Sequence, residues 1–310
     1  MSNFERIMQK TSGFVSIIGA PNAGKSTLVN AILGQNISIV TPKPQTTRNK
    51  IFAIYTKDNV QIVLVDTPGI MNPKYKLQQF MKREIKSSFK EADLIVLVVD
   101  AGRYDLSGLN ETYDKYKNEF AGQKHFCVLN KIDLLEKEKV LPIIKNISEN
   151  FKFDEIIPVS SLKGFNIDEL VKTIIKYLPE NDFYFDDDVL TSQPERFFVS
   201  EIIRKNILKL YRDEVPFSVY VDIEGFKERE KGKDFIRAAI VVERDSQKAI
   251  IIGGKGLKIK SLGEISRKEI EEFLGRKVFL ELFVKVNKNW KNNESFLKKN
   301  FNKLGSLISG

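Results

Sequence analysis

Between a short apolar run, FVSII (Phe14 to Ile18), and a helically spaced run beginning STLVNAIL at Ser26, the sequence reads GAPNAGKS, Gly19 to Ser26. This fits Gly-x-x-x-x-Gly-Lys-Ser in the strand-to-helix setting where that pattern makes a phosphate-binding loop. The glycines let successive backbone N–H groups turn toward an anion. The Lys25 ammonium is placed for the β and γ oxygens of a nucleotide, and the Ser26 hydroxyl for Mg2+. The expected nucleotide loop is Gly19, Ala20, Pro21, Asn22, Ala23, Gly24, Lys25, Ser26 and Thr27.

Outward from this loop, the apolar runs FVSIIG, KIFAIYT, VQIVLVD, LIVLVVD, KHFCVLN and EIIPVS read as strands, most of them separated by segments long enough for helices. That rhythm predicts an α/β fold with a mostly parallel sheet. KIFAIYT and VQIVLVD are joined by the short polar KDN, which predicts a hairpin and hence one antiparallel strand. The stretch Pro179 to Glu195, PENDFYFDDDVLTSQPE, breaks the rhythm with acidic and turn-forming residues. The boundaries that follow are a nucleotide-binding domain over 1–180, a linker over 181–195, a second domain over 196–285 and a basic C-terminal helix over 286–310.

Three further motifs follow the loop in order. DTPG, Asp66 to Gly69, closes an apolar strand. Asp66 can hold the metal through a water, and the Gly69 N–H can sense a γ-phosphate; Thr67, Pro68 and Ile70 complete this contact segment. In PKPQTTRNK, Thr47, or else Thr46, can close on the metal when the γ-phosphate is present. NKID, Asn130, Lys131, Ile132 and Asp133, selects the base: Asp133 can accept two hydrogen bonds from guanine N1–H and its exocyclic amine, a donor pair that adenine lacks. GTP is thereby favoured over ATP, since a mismatched purine leaves that carboxylate unpaired. Ser160, Ser161 and Leu162 fit the backbone support of the guanine oxygen. The candidate catalytic set is Lys25, Thr47, Asp66, Gly69 and Asn22, and the candidate metal ligands are Ser26, Thr47 and Asp66.

The rest of the composition narrows the chemistry. One cysteine, Cys127, and one histidine, His125, exclude an intrachain disulfide, a zinc cluster and a Ser-His-Asp triad. Both sit in KHFCVLN and read as strand residues. The longest apolar run, LIVLVV, is too short to span a bilayer, and the first residues lack a signal-peptide pattern, so a cytoplasmic protein is expected. The net charge of +9 is uneven: residues 191–310 hold 25 Lys+Arg against 17 Asp+Glu, whereas 1–190 hold 25 against 24. The basic excess points the C-terminal third toward a polyanion.

A second glycine-lysine turn supplies the candidate contact. The order after residue 195 is helix (about Arg196 to Tyr211), strand PFSVYVDIEGF, strand FIRAAIVVER, helix SQKAIIIG, glycine turn, helix (about Leu257 to Phe273), strand KVFLELFVKV and a final helix (about Asn293 to Leu304). Gly253, Gly254, Lys255 and Gly256 then fit the Gly-x-x-Gly turn of an α+β KH type II domain. Such a turn lets single-stranded RNA backbone come close at a helix N-terminus while an apolar groove stacks its bases. Lys258 and Lys260 add phosphate attraction. Lys285 to Lys303 holds six lysines against Glu294 alone, with Trp290 as a candidate RNA contact and Phe296 and Phe301 as packing residues.

ERFFVSEIIRKNIL, IIGGKGLKIKSLG and LFVKVNKNWKNNESFLKKNF, together with the four nucleotide motifs, resemble the Era family of GTPases over nearly the whole chain. The resemblance implies a monomeric GTPase that binds the 3′ end of 16S ribosomal RNA and acts on the 30S subunit, with peripheral contact to an anionic membrane as a secondary property. A scaffold holding a structural nucleotide and a membrane-associated regulatory GTPase are the competing readings; a tRNA-modification GTPase is disfavoured because such enzymes carry further catalytic domains. Hydrolysis is expected to be slow. Ile70 stands where Ras-like enzymes carry a water-orienting glutamine, Arg48 is only a remote candidate finger, and Asn22 is a candidate holder of K+ against the phosphates.

Overall fold

In the computed structural model, which describes residues 10–301, the run before the phosphate loop is β1 (Thr11–Gly19), buried from Ser12 onward. The chain continues through α1 (Lys25–Leu33), β2 (Ile51–Lys57), β3 (Val60–Asp66), α2 (Lys76–Glu91), β4 (Leu94–Asp100), α3 (Leu106–Lys115) and α4 (Lys117–Phe120). It completes the sheet through β5 (Lys124–Asn130), α5 (Lys137–Asn150), β6 (Glu155–Pro158) and α6 (Ile167–Tyr177). The strand order is β2-β3-β1-β4-β5-β6, parallel throughout except that β2 runs antiparallel to β3. The hairpin signal between β2 and β3 is thus realised, with Asp58 at φ 55° in the turn. The central strands read as continuous apolar runs because helices cover both faces of a parallel sheet. Register brings Ile17 beside Asp66 and Asp100 beside Asn130, so the motif residues gather at the carboxyl ends of the parallel strands, where open α/β sheets bind ligands.

The described residues divide into two compact units, 10–73 with 78–192 and 193–301 with 74–77. The break in rhythm predicts an interdomain linker over 181–195; in the structure the chain up to Ser192 groups with the first unit. Ser12 Oγ donates to Asp182 O at 2.6 Å. The Gln61 side chain mimics a strand, its Oε1 accepting from Tyr184 N (2.9 Å) and Phe185 N (3.0 Å) while its Nε2 donates to Phe185 O (2.8 Å). Tyr184 packs on Phe14 with ring centroids 4.6 Å apart, and Phe185 joins the apolar cluster of Phe14, Phe52, Val63 and Val65. The aromatics of DFYFDD therefore fasten a segment whose charges remain at the surface.

The second unit runs α7 (Glu195–Leu210), β7 (Tyr220–Lys227), β8 (Asp234–Val242), α8 (Asp245–Ile252), α9 (Leu257–Leu274), β9 (Val278–Val286) and α10 (Glu294–Phe301). Its sheet is β7-β8-β9, antiparallel then parallel, which is the α+β arrangement expected of KH type II. One face packs on helices through Ile203, Ile207, Ile236, Ala238, Ile240, Leu262 and Ile270. The apolar pattern places the start of β7 at Pro216, but Val215–Ser218 forms a 3-10 turn. Pro216 has no N–H to give a ladder, so the strand begins at Tyr220. The final helix is described as far as Phe301; residues 302–304 of the expected span lie outside the described residues.

Candidate guanine-nucleotide and nucleic-acid sites

A cleft of about 400 Å³ at the carboxyl end of the first sheet is lined by Pro21, Asn22, Gly24, Lys25, Ser26, Thr27, Thr47, Gly69 and Lys131 from the predicted set. Gly24 holds φ 95°, and a Cβ there would lie 2.3 Å from Asn130 Nδ2. The Lys25 side chain is buried and donates to Gly19 O (3.1 Å) and Ala20 O (2.9 Å), stiffening the loop from within. Burial lowers its ammonium to about 8, against the opposing pull of Asp66.

Ser26 Oγ donates to Asp66 Oδ2 at 2.7 Å and lies 3.1 Å from Thr47 Oγ1. Asp66 is fully buried, which raises its carboxyl above the usual range although Ser26 and Lys25 pull it back. Its Oδ1 has no hydrogen-bond partner. Three hard oxygen donors and one orphaned carboxylate oxygen suit Mg2+, which keeps several waters and takes few protein ligands. Thr46 Oγ1 instead contacts Thr41 Oγ1 and Lys43 O, both at 2.7 Å, so Thr47 is the threonine beside Ser26.

Around this centre the other motif residues act as struts. Asn22 Nδ2 donates to Pro42 O at 3.0 Å, and Lys131 Nζ reaches Asn22 O and Asp100 Oδ2, both at 2.6 Å. Asn130 is buried; its Nδ2 donates to Ala23 O (3.0 Å) while Oδ1 accepts from Ser161 N (3.0 Å) and Ser161 Oγ (2.8 Å). It ties the phosphate loop to the last motif. Asp133 is exposed, its Oδ1 held by Ser160 Oγ at 2.5 Å, and Leu162 is exposed at a turn. Thr67 turns inward, donating to Ile17 O at 2.7 Å.

Two residues weighed for hydrolysis sit away from the cleft. Ile70 gives its N–H to Gly19 O at 2.9 Å, and its side chain packs on the apolar cluster containing Ile18 and Leu97. Arg48, the remote candidate finger, is buried and does not line the cleft; that candidacy is withdrawn. Arg103, Ile39, Val40, Thr41, Pro42 and Gln45 line it as well. The signal for Arg103 was available, since Ala101–Arg103 follows directly on β4 and loops at that end build the site.

In the second unit α8 ends at Ile252, and the turn passes through Gly253 (φ 70°, ψ 172°), Lys255 (φ 51°) and Gly256 (φ 76°) into α9. A Cβ at Gly253 would lie 2.6 Å from Lys258 Cγ, whereas nothing lies within 4 Å of one at Gly254. Lys255, Lys258 and Lys260 are exposed. The apolar Ile250 and Leu257, exposed by 42% and 68%, flank the turn. Trp290 corrects its expectation as an RNA contact: it is fully buried, donates Nε1–H to Ser218 O at 3.1 Å and packs with Tyr220 and Phe296. Aromatic and polar needs are both met internally, so the ring offers no face to a base. Phe301 is buried, as its packing role requires.

Residues 14–131 match the family described as 50S ribosome-binding GTPase, and residues 214–291 match the KH domain family. The chain is 46% identical over 287 residues to the GTPase Era of Clostridium kluyveri, covering 93% of this chain and 97% of that protein. It is 47% identical over 288 residues to the GTPase Era of Geobacter metallireducens, covering 93% and 96%. Two solved structures each align with a TM-score of 0.89 at 39% identity over 93% of this chain and 98% of theirs. They are Era in complex with MgGDPNP and nucleotides 1506-1542 of 16S ribosomal RNA, and a variant of Aquifex aeolicus Era bound to GDP.AlF4-. With the nucleotide cleft and the KH turn in one chain, and relatives at least 46% identical over 93% of it, the chain belongs to the Era family of GTPases.

Proposed function

We propose that this protein is a GTP-hydrolysing switch that binds the 3′ end of 16S ribosomal RNA during assembly of the 30S subunit and maturation of its RNA. The observation that carries the reading is the presence, in one chain, of a cleft lined by the phosphate loop and a cation-rich Gly-x-x-Gly turn with exposed apolar flanks. The Era relative solved with MgGDPNP and 16S ribosomal RNA supports it.

In the nucleotide cleft Lys25 and the loop amides would hold the β and γ oxygens and Ser26, Thr47 and Asp66 would hold Mg2+, while Asp133, outside the cleft lining, would select guanine. The metal, when bound, offsets charge on the phosphates. The reaction is in-line attack of water on the γ-phosphate, driven by positioning and charge neutralisation. Ile70 can neither donate nor accept a hydrogen bond through its side chain, so intrinsic turnover is slow; Asn22 would hold K+, which would supply the positive charge that an arginine finger gives elsewhere. The RNA side rests on Gly253, Gly254, Lys255, Gly256, Lys258 and Lys260. On this reading the chain works as a cytoplasmic monomer, and its basic surface meets anionic membrane only peripherally; no helix among the described residues is long and apolar enough to cross one.

Crosslinking the protein to total cellular RNA with GTP and then GDP, and sequencing the bound fragments, tests the proposal. Enrichment of the 16S 3′ end is the expected result; fragments spread over all RNA would overturn it. Absence of phosphate release from GTP, with RNA binding intact, would favour the scaffold reading.

A further inference from the structure

The chain between α1 and β2 is anchored at both ends by buried side chains. At its start Asn30 grips Ser38, donating Nδ2–H to Ser38 O at 2.7 Å and accepting Ser38 N–H at 2.8 Å; both residues are buried. At its end Lys50, also buried, places Nζ 2.7 and 2.8 Å from the two oxygens of Glu91, the last residue of α2. The Lys50 ammonium also lies 5.2 Å from the Phe52 ring centroid. Between the anchors, Ile39, Val40, Thr41, Pro42, Gln45 and Thr47 line the nucleotide cleft.

We infer that Lys50 is a positioning residue for Thr47, and that its pair with Glu91 is a latch joining the metal-facing loop to the helix that follows the Asp-Thr-Pro-Gly motif. The geometry is direct. Lys50 stands three residues beyond Thr47, a reach of about 11 Å at most, and immediately before Ile51, which pairs across the sheet with Asp66. The latch thus fixes the chain on one side of Thr47 as the strand pairing fixes Asp66. A buried ammonium parted from its paired carboxylate is disfavoured; Glu84, which accepts the Lys50 N–H at 3.4 Å, is the second carboxylate beside it, and both belong to α2, so the loop resists swinging out while Lys50 stays behind. The inference rests on the reading of Thr47 as a metal ligand.

The test is dissociation of a fluorescent non-hydrolysable GTP analogue and of fluorescent GDP over a Mg2+ titration. Lys50→Met retains the apolar stem and removes the charge. It should speed loss of the GTP analogue about tenfold, within the 5 to 150-fold span typical of coupled sites. It should raise the Mg2+ needed for half-maximal retention by a similar factor while changing GDP release less than about twofold. Lys50→Arg, whose guanidinium also reaches Glu91, should restore most of the retention, and the exchanged pair Lys50→Glu with Glu91→Lys should restore part. Equal acceleration for both nucleotides, or none for either, would overturn the latch. Thr47→Ala separates the two readings. If it reproduces the Mg2+ effect and Lys50→Met does not, the latch alone is refuted. If Thr47→Ala leaves the Mg2+ dependence unchanged, the metal assignment fails and the positioning role falls with it.

Discussion

Lys25 joins two demands that conflict in the free protein: the loop needs its stem packed inside, and the phosphates need its charge. Burial lowers its ammonium from 10.5 to about 8. Below about pH 8 the free protein already carries the proton and affinity for GTP should be flat. Above it, binding must take a proton up, and apparent affinity should fall by up to about tenfold per pH unit. The sign for folding is opposite: between about 8 and 10.5 the unfolded chain holds the proton more tightly, so nucleotide-free protein should gain stability as pH rises. Lys25→Arg keeps its charge and should abolish the slope, which calorimetric titrations across this range would reveal. Asn22 bears a second expectation. If it holds K+, hydrolysis should rise in K+ over Na+ at equal ionic strength, and Asn22→Ala should lose that gain while GTP still binds; equal phosphate release in both salts sinks it. These residues were legible because their spacing is imposed by the phosphate. The Asn22 contact with Pro42 and the Lys131 contact with Asp100 were not, because nothing local in either sequence states where the partner chain passes.

The glycine turn between α8 and α9 shows at the level of an element how steric room makes a clean experiment. Gly254 has open space on its Cβ side and ordinary backbone angles, while Gly253 does not. The double change Gly254→Asp with Lys255→Asp should therefore leave the KH unit folded, abolish RNA binding by charge, and leave GTP affinity within about twofold, since neither residue lines the nucleotide cleft. Unaltered RNA affinity in a filter assay would remove the turn from the interface. Gly253→Ala, by contrast, should lower thermal stability, since its Cβ would strike the Lys258 stem. The helix-turn-helix was readable from period and glycine placement. The course of residues 179–192 was not: acidic and turn residues signal solvent, and the decisive contact is the side chain of Gln61, more than a hundred positions earlier. Trp290 failed for the same reason, since its hydrogen-bond acceptor, Ser218 O, is supplied by a distant turn.

For the molecule as a whole, the +8 of residues 191–310 predicts that the logarithm of RNA affinity falls linearly with the logarithm of salt concentration, with a slope set by the phosphates neutralised. If nucleotide state controls RNA release, affinities measured with a GTP analogue and with GDP should differ by roughly 5 to 150-fold, and RNA must shift the preference for GTP over GDP by the same factor. Matching affinities in both states would leave a GTPase that does not switch. The two-domain plan and both ligand classes were written plainly in the sequence because each motif sits in its own periodic element. Finally, the chain has one tryptophan, and its indole is sealed beneath Tyr220 and Phe296 with its N–H bonded. Its fluorescence is consequently a private optical channel from the KH unit. Blue-shifted emission should red-shift when that unit melts, and a denaturation curve read by this light can be set beside one read by bound nucleotide without any added label.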